Sequence, residues 1–169
     1  MDKATQTLSE MIVQREYKII EQDDDKIIGV DRKGKGIVAF LGLVQKFSID
    51  RAKEFISVLH KMEIYHGIIV YNDCVTPQGK KVITNSVEIK LELFSLDELQ
   101  YNITKHRLVP KHVRLKPKKA IAFKKKFGLK FPAILTHDPI ARFYNYKRGD
   151  IIEIHRLGGE YITHRIVKG

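Results

Sequence analysis

The stretch DPIARFYNYKRGDIIEIHRLGGEYITHRIV, residues 138–167, decides the fold of the second part of the chain. Asp138 has the side chain of a helix N-cap and Pro139 suits the first helical turn, so a short helix is predicted at its start. A turn follows, and then two runs rich in β-branched residues, Ile151–Arg156 and Tyr161–Val167, flank a pair of glycines. This pattern predicts a β-hairpin.

The residues before this stretch predict an extended segment and a basic helix. Leu108–Pro110 is expected to be extended, because the residue before a proline disfavours helical backbone. Lys116–Phe127 is expected to form a helix with Ala120, Ile121 and Phe123 on its inner side. The lysines of this helix have two interpretations: they neutralise the phosphates of a nucleic acid, or they form a solvated or protein-binding face.

The first hundred residues predict an α/β layer. In the last predicted strand, Val87–Phe94, apolar residues alternate with Glu88, Lys90 and Glu92, so the charged side chains are expected to face solvent. The predicted elements are helix Thr5–Glu16, strands Tyr17–Gln22, Lys26–Val30 and Gly36–Leu41, a helix from the N-cap Ser48 to about Met62, strand Gly67–Tyr71, a helix beginning at Thr76 and Pro77, and strand Val87–Phe94.

The charge is distributed unevenly along the 169 residues. Residues 1–104 hold 14 lysines and arginines against 16 acids, whereas residues 105–169 hold 17 against 4. This break predicts two domains with different partners, at residues 1–101 and 102–169, with the basic domain facing an acidic partner. The fold class is therefore α/β for the first domain and a small mixed α+β arrangement for the second.

No apolar run is long enough for a membrane span, so no membrane contact is expected.

Residue patterns of known catalytic sites are mostly missing. The chain has one cysteine, and its histidines lack the close spacing of a metal site, so neither a metal nor a cofactor is expected. Glu88-x-Lys90 matches part of a metal-dependent nuclease motif. In such nucleases the pair belongs on the third strand, where Gly36–Phe40 carries no acid. A nuclease-like layer without its catalytic residues is the favoured interpretation, and a divergent nuclease is an alternative.

Four ordered motifs carry a resemblance to a known family. Together they resemble the assembly domain of the fifth subunit of eukaryotic RNA polymerases, of which archaea possess a counterpart. Asn102-Ile103-Thr104, at the domain junction, and Val75-Thr76-Pro77 followed by Lys80 are similar to the junction and a jaw-domain loop of the eukaryotic protein. The four motifs are Leu108–Val113, Asp138–Arg142, Lys147–Asp150 and Gly159–Thr163.

The resemblance implies a non-catalytic subunit of a multisubunit DNA-directed RNA polymerase. It implies that the second domain docks on the largest subunit beside other subunits, and that the first is a jaw near downstream duplex DNA. The residues expected to contact DNA are Thr76, Pro77, Lys80 and Lys81, which also combine a helix N-terminus with two cations. Those expected to contact the partner subunit are Pro110, His112, Asp138, Pro139, Arg142, Lys147, Arg148, Tyr161 and Arg165.

Several departures from the family pattern favour a divergent, viral member. The expected location is the nucleus for a cellular protein, and the virion or a cytoplasmic viral factory for a viral one. A free-standing nucleic-acid-binding protein is the main alternative function. The departures are Ala133 after Pro132, the short hairpin turn Leu157-Gly158-Gly159, His164 in place of an aromatic tyrosine, a more basic helix at 116–126, and a shorter jaw.

Overall fold

The computed structural model describes residues 2–128, 130–156 and 159–169. The chain divides into two compact units, an N-terminal unit at Met1–Tyr101 and a C-terminal unit at Asn102–Gly169. In the described residues, no helix has both the length and the apolar character needed to cross a bilayer.

The N-terminal unit contains a five-stranded mixed sheet in the order β1-β2-β3-β4-β5. The first three strands are antiparallel, whereas β3 with β4 and β4 with β5 are parallel. The elements are α1 (Asp2–Gln14), β1 (Lys18–Gln22), β2 (Lys26–Val30), β3 (Gly36–Phe47), α2 (Ile49–Lys61), β4 (His66–Val75), α3 (Pro77–Asn85), β5 (Lys90–Ser95) and a 3-10 turn (Asp97–Leu99).

Two helices of this unit, α2 and α3, begin where their predicted capping residues place them, whereas α1 begins at Asp2, before the predicted start at Thr5. The hydroxyl of Ser48 accepts a hydrogen bond from the backbone N–H of Arg51, and α2 buries Ala52 and Leu59 against the sheet. Gly67 of β4 permits this close packing, because a Cβ there would lie 2.9 Å from Cδ1 of Leu59 and 3.0 Å from Cδ2 of Leu91. The apolar stripe of α1 is fully buried as well.

The prediction of a strand at Val87–Phe94 is wrong about the residue at which the strand begins and about the exposure of one face. β5 begins only at Lys90, where the parallel register with β4 begins, and Val87 is 98% exposed. Glu92, expected to face solvent, has a side chain that is only 12% exposed. The alternation failed because side chains on both faces of this edge strand contact other elements of the unit.

The C-terminal unit contains a four-stranded sheet in the order β6-β8-β9-β7. Strand β8 is antiparallel to both of its neighbours, β6 and β9, whereas β7 is parallel to β9. The sequence pattern predicts neither β6 nor β7, which are only four and three residues long. The elements are a 3-10 turn (Ile103–Lys105), β6 (Lys111–Arg114), α4 (Pro117–Phe127), β7 (Ala133–Leu135), α5 (Pro139–Phe143), β8 (Ile151–Arg156) and β9 (Tyr161–Lys168).

The two helices of this unit differ in how deeply they are buried. α5 contributes Ile140 and Ala141 to a core that includes Ile152 of β8. α4 contains no buried residue, and it contacts the sheet through the ring of Phe123, whose centroid lies 4.4 Å from that of the His164 ring in a stacked arrangement. The prediction of Ile121 on the inner side is wrong, because its side chain is 68% exposed. Most of the apolar side chains of this eleven-residue helix therefore lie at the surface.

The predicted hairpin is present, and both of its strands lie in the interior of the sheet. β8 lies between β6 and β9, so it has a neighbour on both sides. β7 pairs only with residues 166–168 of β9, so residues 161–165 have a strand neighbour on one side alone within the described chain. In the predicted turn, residues 157 and 158 lie outside the described residues, and Gly159 has a φ of 106°.

Candidate functional site

A cleft in the C-terminal unit, which we term the first cleft, brings together five of the nine predicted partner contacts. Its volume is about 550 Å³. Ile134 and Ile154 line it and also belong to the core of the unit, so the cleft reaches the core. The predicted residues that line it are Pro110, His112, Asp138, Pro139 and Arg165.

His112 and Asp138 are fixed in the first cleft by backbone groups. His112 Nδ1 lies 2.7 Å from the carbonyl oxygen of Pro110, and because a carbonyl only accepts, Nδ1 carries the proton. Burial lowers the pKa of His112, and the hydrogen bond to Pro110 opposes this only in part, so the ring is neutral at pH 7. Asp138 Oδ1 accepts the N–H of Ile140 at 2.9 Å and begins α5.

Two arginines give the first cleft its charge. Arg165 is half-buried, and its Nη1 donates to the carbonyl oxygen of Ala133 at 2.9 Å. Arg156, at the end of β8, is exposed and was not predicted as a contact. The face of β8 on which Arg156 lies could have been predicted from the sequence, since strand alternation places it on the same face as Ile152 and Ile154.

A second cleft, of about 930 Å³, adjoins the first. Pro110 and Arg156 line both, and Tyr161 is the further predicted contact in the second. The side chain of Tyr161 is 58% exposed. The basic residues Arg107 and Lys111 also line this cleft. The two clefts therefore form one concave, basic surface that includes six of the nine predicted partner contacts.

The other three predicted partner contacts line neither cleft. Arg142 is half-buried in the last turn of α5. Lys147 and Arg148 are exposed in the turn before β8, where the N–H of Lys147 donates to Asp150 Oδ2 at 2.9 Å. Gly149 has a φ of 88°, a backbone conformation that suits glycine. The motif at 147–150 therefore has a clear structural role in forming the turn.

The predicted DNA contacts lie at the start of α3. Pro77, Lys80 and Lys81 are exposed, and Thr76 is half-buried. The Thr76 hydroxyl accepts the N–H of Gly79 at 3.1 Å and donates to the carbonyl oxygen of Phe47 at 3.2 Å. Thr76 thus caps the helix and joins it to the end of β3, which leaves the two lysines as the exposed charged groups of the predicted contact.

The start of α3 has few backbone N–H groups left for a phosphate. The N–H of Thr76 donates to Phe47, and that of Lys80 donates to the carbonyl oxygen of Thr76. Pro77 has no N–H, and Gly79 is bonded to the cap. Gln78 is therefore the remaining donor of the first turn, so a phosphate here would depend mainly on Lys80 and Lys81.

Sequence reasoning missed a buried charge cluster in the N-terminal unit. Arg15, which directly follows α1, forms a two-point ion pair with Glu92 of β5, and His66 of β4 contacts the same carboxylate. Burial alone would raise the pKa of Glu92, but the Arg15 charge and the His66 hydrogen bond lower it to about 2. A lysine, Lys90, lies 4.0 Å from Glu92. This acid is therefore ionised and enclosed by cations.

A metal site is not formed by the residues that the structure describes, since none of their His, Cys, Asp and Glu side chains cluster in threes suited to an ion. Glu88 and Lys90 of the partial nuclease motif are exposed, as predicted.

Comparison with known proteins identifies the family. The model of the RNA polymerase Rpb5 C-terminal domain matches residues 101–167. The Dictyostelium discoideum subunit rpabc1 of DNA-directed RNA polymerases I, II, and III is 30% identical over 183 aligned positions, covering 95% of this chain and 93% of the relative. The corresponding Caenorhabditis elegans subunit is 33% identical over 129 positions, covering 72% of this chain and 61% of the relative.

A solved structure of the restriction-modification enzyme LlaBIII bound to DNA aligns with 78% of this chain and 10% of its own, at 15% identity and a TM-score of 0.42, too low to define a common fold. The Dictyostelium relative extends the similarity beyond the C-terminal unit, because its alignment covers 95% of this chain. The chain belongs to the Rpb5 family of RNA polymerase subunits, and it is a non-catalytic subunit.

Proposed function

We propose that the chain docks on the largest subunit of a DNA-directed RNA polymerase through the C-terminal unit and holds the N-terminal unit as a jaw beside downstream duplex DNA. The relatives are subunits of polymerases I, II and III, which supports association with other polymerase subunits. The single observation that carries the docking proposal is the basic double cleft, because it brings together six of the nine residues that the sequence predicted as partner contacts, five of them within the family motifs.

The composition of the double cleft suits a protein partner. Exposed apolar side chains, Leu108 and Leu135, border it together with arginines. Interfaces between subunits combine apolar contact with arginine, whereas a surface for DNA alone needs only cations. The partner surface is therefore acidic with apolar residues.

The jaw proposal depends on Lys80 and Lys81. Both are exposed, and within the described residues neither forms an ion pair with an acid. Two adjacent lysines attract phosphates without reading bases, so the contact is independent of DNA sequence.

The N-terminal unit is a nuclease-like layer without catalytic residues. Its helix, three strands, helix and strand follow the order of such enzymes, but residues 36–40 of β3 carry no acid. Glu92 is an acid of β5 in the same sheet, but it is held by Arg15 and His66 and is not available to a metal.

The departures from the family pattern favour a viral polymerase, assembled in a virion or a cytoplasmic viral factory. If the polymerase is a cellular one, as in the relatives, the expected location of the chain is the nucleus.

Affinity purification of the tagged full chain from its source, followed by size-exclusion chromatography and mass spectrometry, tests the proposal. The expected result is elution in a very large complex that contains the largest polymerase subunit. Elution as a free protein that binds nucleic acid would instead favour the free-standing binding protein, and metal-dependent DNA cleavage would favour the nuclease.

A further inference from the structure

The first cleft has an excess of positive charge that the described residues of the chain do not balance. Arg156 and Arg165 line it, and neither lies within ion-pair distance of an acid in the described residues. The acid of the cleft, Asp138, caps α5 through its bond to Ile140. Removing a half-buried cation from water without a counter-charge is unfavourable, so the cleft suits an anionic ligand.

Arg165 is already oriented for such a ligand. Its bond to the carbonyl oxygen of Ala133 fixes the guanidinium between β9 and β7 while using only one of its N–H donors. A guanidinium fixed at one nitrogen loses less side-chain entropy when the others bind a carboxylate. Arg156 lines the same cleft and supplies a second cation.

The shape of the surface indicates what carries the anion. The floor of the first cleft contains core side chains, Ile134 and Ile154, and its rim contains prolines. Apolar walls of this kind suit a protein side chain better than a phosphate backbone. Because Pro110 and Arg156 are shared with the second cleft, a segment that enters one can continue along the other.

From these observations we infer that the first cleft receives an aspartate or glutamate side chain from an internal, apolar-flanked segment of another polymerase subunit. This inference rests on the proposed docking function and adds the chemistry of the partner. His112 contributes a neutral ring whose Nδ1 is bonded to Pro110, so the other ring nitrogen accepts a hydrogen bond from an N–H of the same segment.

Charge reversal in the full chain tests the inference. Tagged variants compete with the wild-type chain for incorporation into reconstituted polymerase. We expect Arg156→Glu to lower incorporation at least tenfold, and Arg156→Lys to lower it less, because lysine keeps the charge without the planar fork. The matched control is Arg32→Glu, which makes the same charge change in an exposed turn of the N-terminal unit and should remain within twofold of wild type.

Arg165→Glu removes the bond to Ala133 and can impair folding, so Arg156, whose side chain is exposed, carries the test. Equal losses in Arg156→Glu and Arg32→Glu, or no loss in either, would overturn the inference. Incorporation of the wild-type chain is the separate readout for the proposed function: if wild type fails to incorporate, docking itself is wrong.

Photo-cross-linking identifies the segment. A benzoylphenylalanine at Leu135, an exposed residue that lines the first cleft, is expected to attach to a peptide that contains aspartate or glutamate within a few residues of the attachment point. Attachment to DNA, or to a segment without an acid, would overturn the inference. Reduced retention of duplex DNA by Arg156→Glu, with normal incorporation, would assign the cleft to nucleic acid and overturn it too.

Discussion

Arg15 and Glu92, 77 residues apart in the chain, are joined by two parallel hydrogen bonds of 2.8 and 3.0 Å inside the N-terminal unit. Their side chains are 3% and 12% exposed. The pair connects the residue directly after the first helix to the edge strand β5, and His66 contacts the same carboxylate from β4. One buried ion pair therefore fastens the two ends of the N-terminal unit together.

We expect Glu92→Gln to destabilise the N-terminal unit by about 3–5 kcal/mol, because it leaves the buried guanidinium of Arg15 without a counter-charge. Denaturant unfolding measures this change. The matched control is Glu54→Gln, which breaks the exposed pair with Arg51 and should cost less than about 1 kcal/mol. Equal effects of the two variants would show that the buried pair has no special role.

The same pair predicts a loss of stability in acid. The pKa of Glu92 falls from 4.5 to about 2 on folding, so the stabilisation is complete above the unfolded value and is lost as pH falls from about 4.5 to about 2. The difference in unfolding free energy between wild type and Glu92→Gln should therefore shrink over that range, by about 3 kcal/mol. Urea unfolding between pH 2 and 7 measures it, and a difference independent of pH would contradict the assignment.

Lys80→Glu with Lys81→Glu is expected to reduce retention of the assembled polymerase on downstream duplex DNA, more at low salt than at high salt. The control is Lys53→Glu with Lys61→Glu, two exposed lysines of α2. A filter-binding series over salt concentration measures retention. If both double variants behave like wild type at every salt, these lysines do not contact DNA.

Thr76→Ala separates the capping role of this residue from a DNA contact. The variant loses the cap of α3 and the bond to Phe47, and it should lower stability by about 1–2 kcal/mol. DNA retention should fall less than in the lysine variant, when both are compared at a temperature where the fold is intact. Thermal unfolding and the same filter-binding series measure the two effects.

Thr163→Val is expected to stabilise the C-terminal unit by up to about 1 kcal/mol. Its Oγ1 is buried and has no hydrogen-bond partner among the described residues, so valine removes an unsatisfied hydroxyl while keeping the shape. Thr163→Ala is the control, because it also leaves a small cavity and should not stabilise. Thermal unfolding of both variants gives the comparison.

Local signals in the sequence predicted most of the regular structure. Capping side chains marked the starts of α2, α3 and α5, because a hydroxyl or carboxylate bonds an N–H only two or three residues away. The strand prediction for 87–94 failed at Glu92, because its partner Arg15 is remote in sequence and no local pattern reports it. Strand β7 is three residues long, which is too short for an alternation of apolar and polar residues to be recognised in the sequence.

Part of the candidate site was predictable for a different reason. The family motifs marked Pro110, His112 and Asp138, but only the pairing of the strands brings them into one cleft with Arg165. Arg156 lies outside the quoted motifs, and it was identified as a cleft residue from its position on the face of β8. Motifs identify residues one at a time, whereas a shared surface depends on tertiary packing.

The position of β9 determines when each unit can fold during synthesis. All five strands of the N-terminal unit precede residue 96, so this unit can fold while the rest of the chain is still being translated. The sheet of the C-terminal unit has β9 between β8 and β7, so it cannot close until residues 161–168 have left the ribosome. The docking clefts therefore form late, and a nascent chain cannot engage the polymerase through them before its β9 segment is complete.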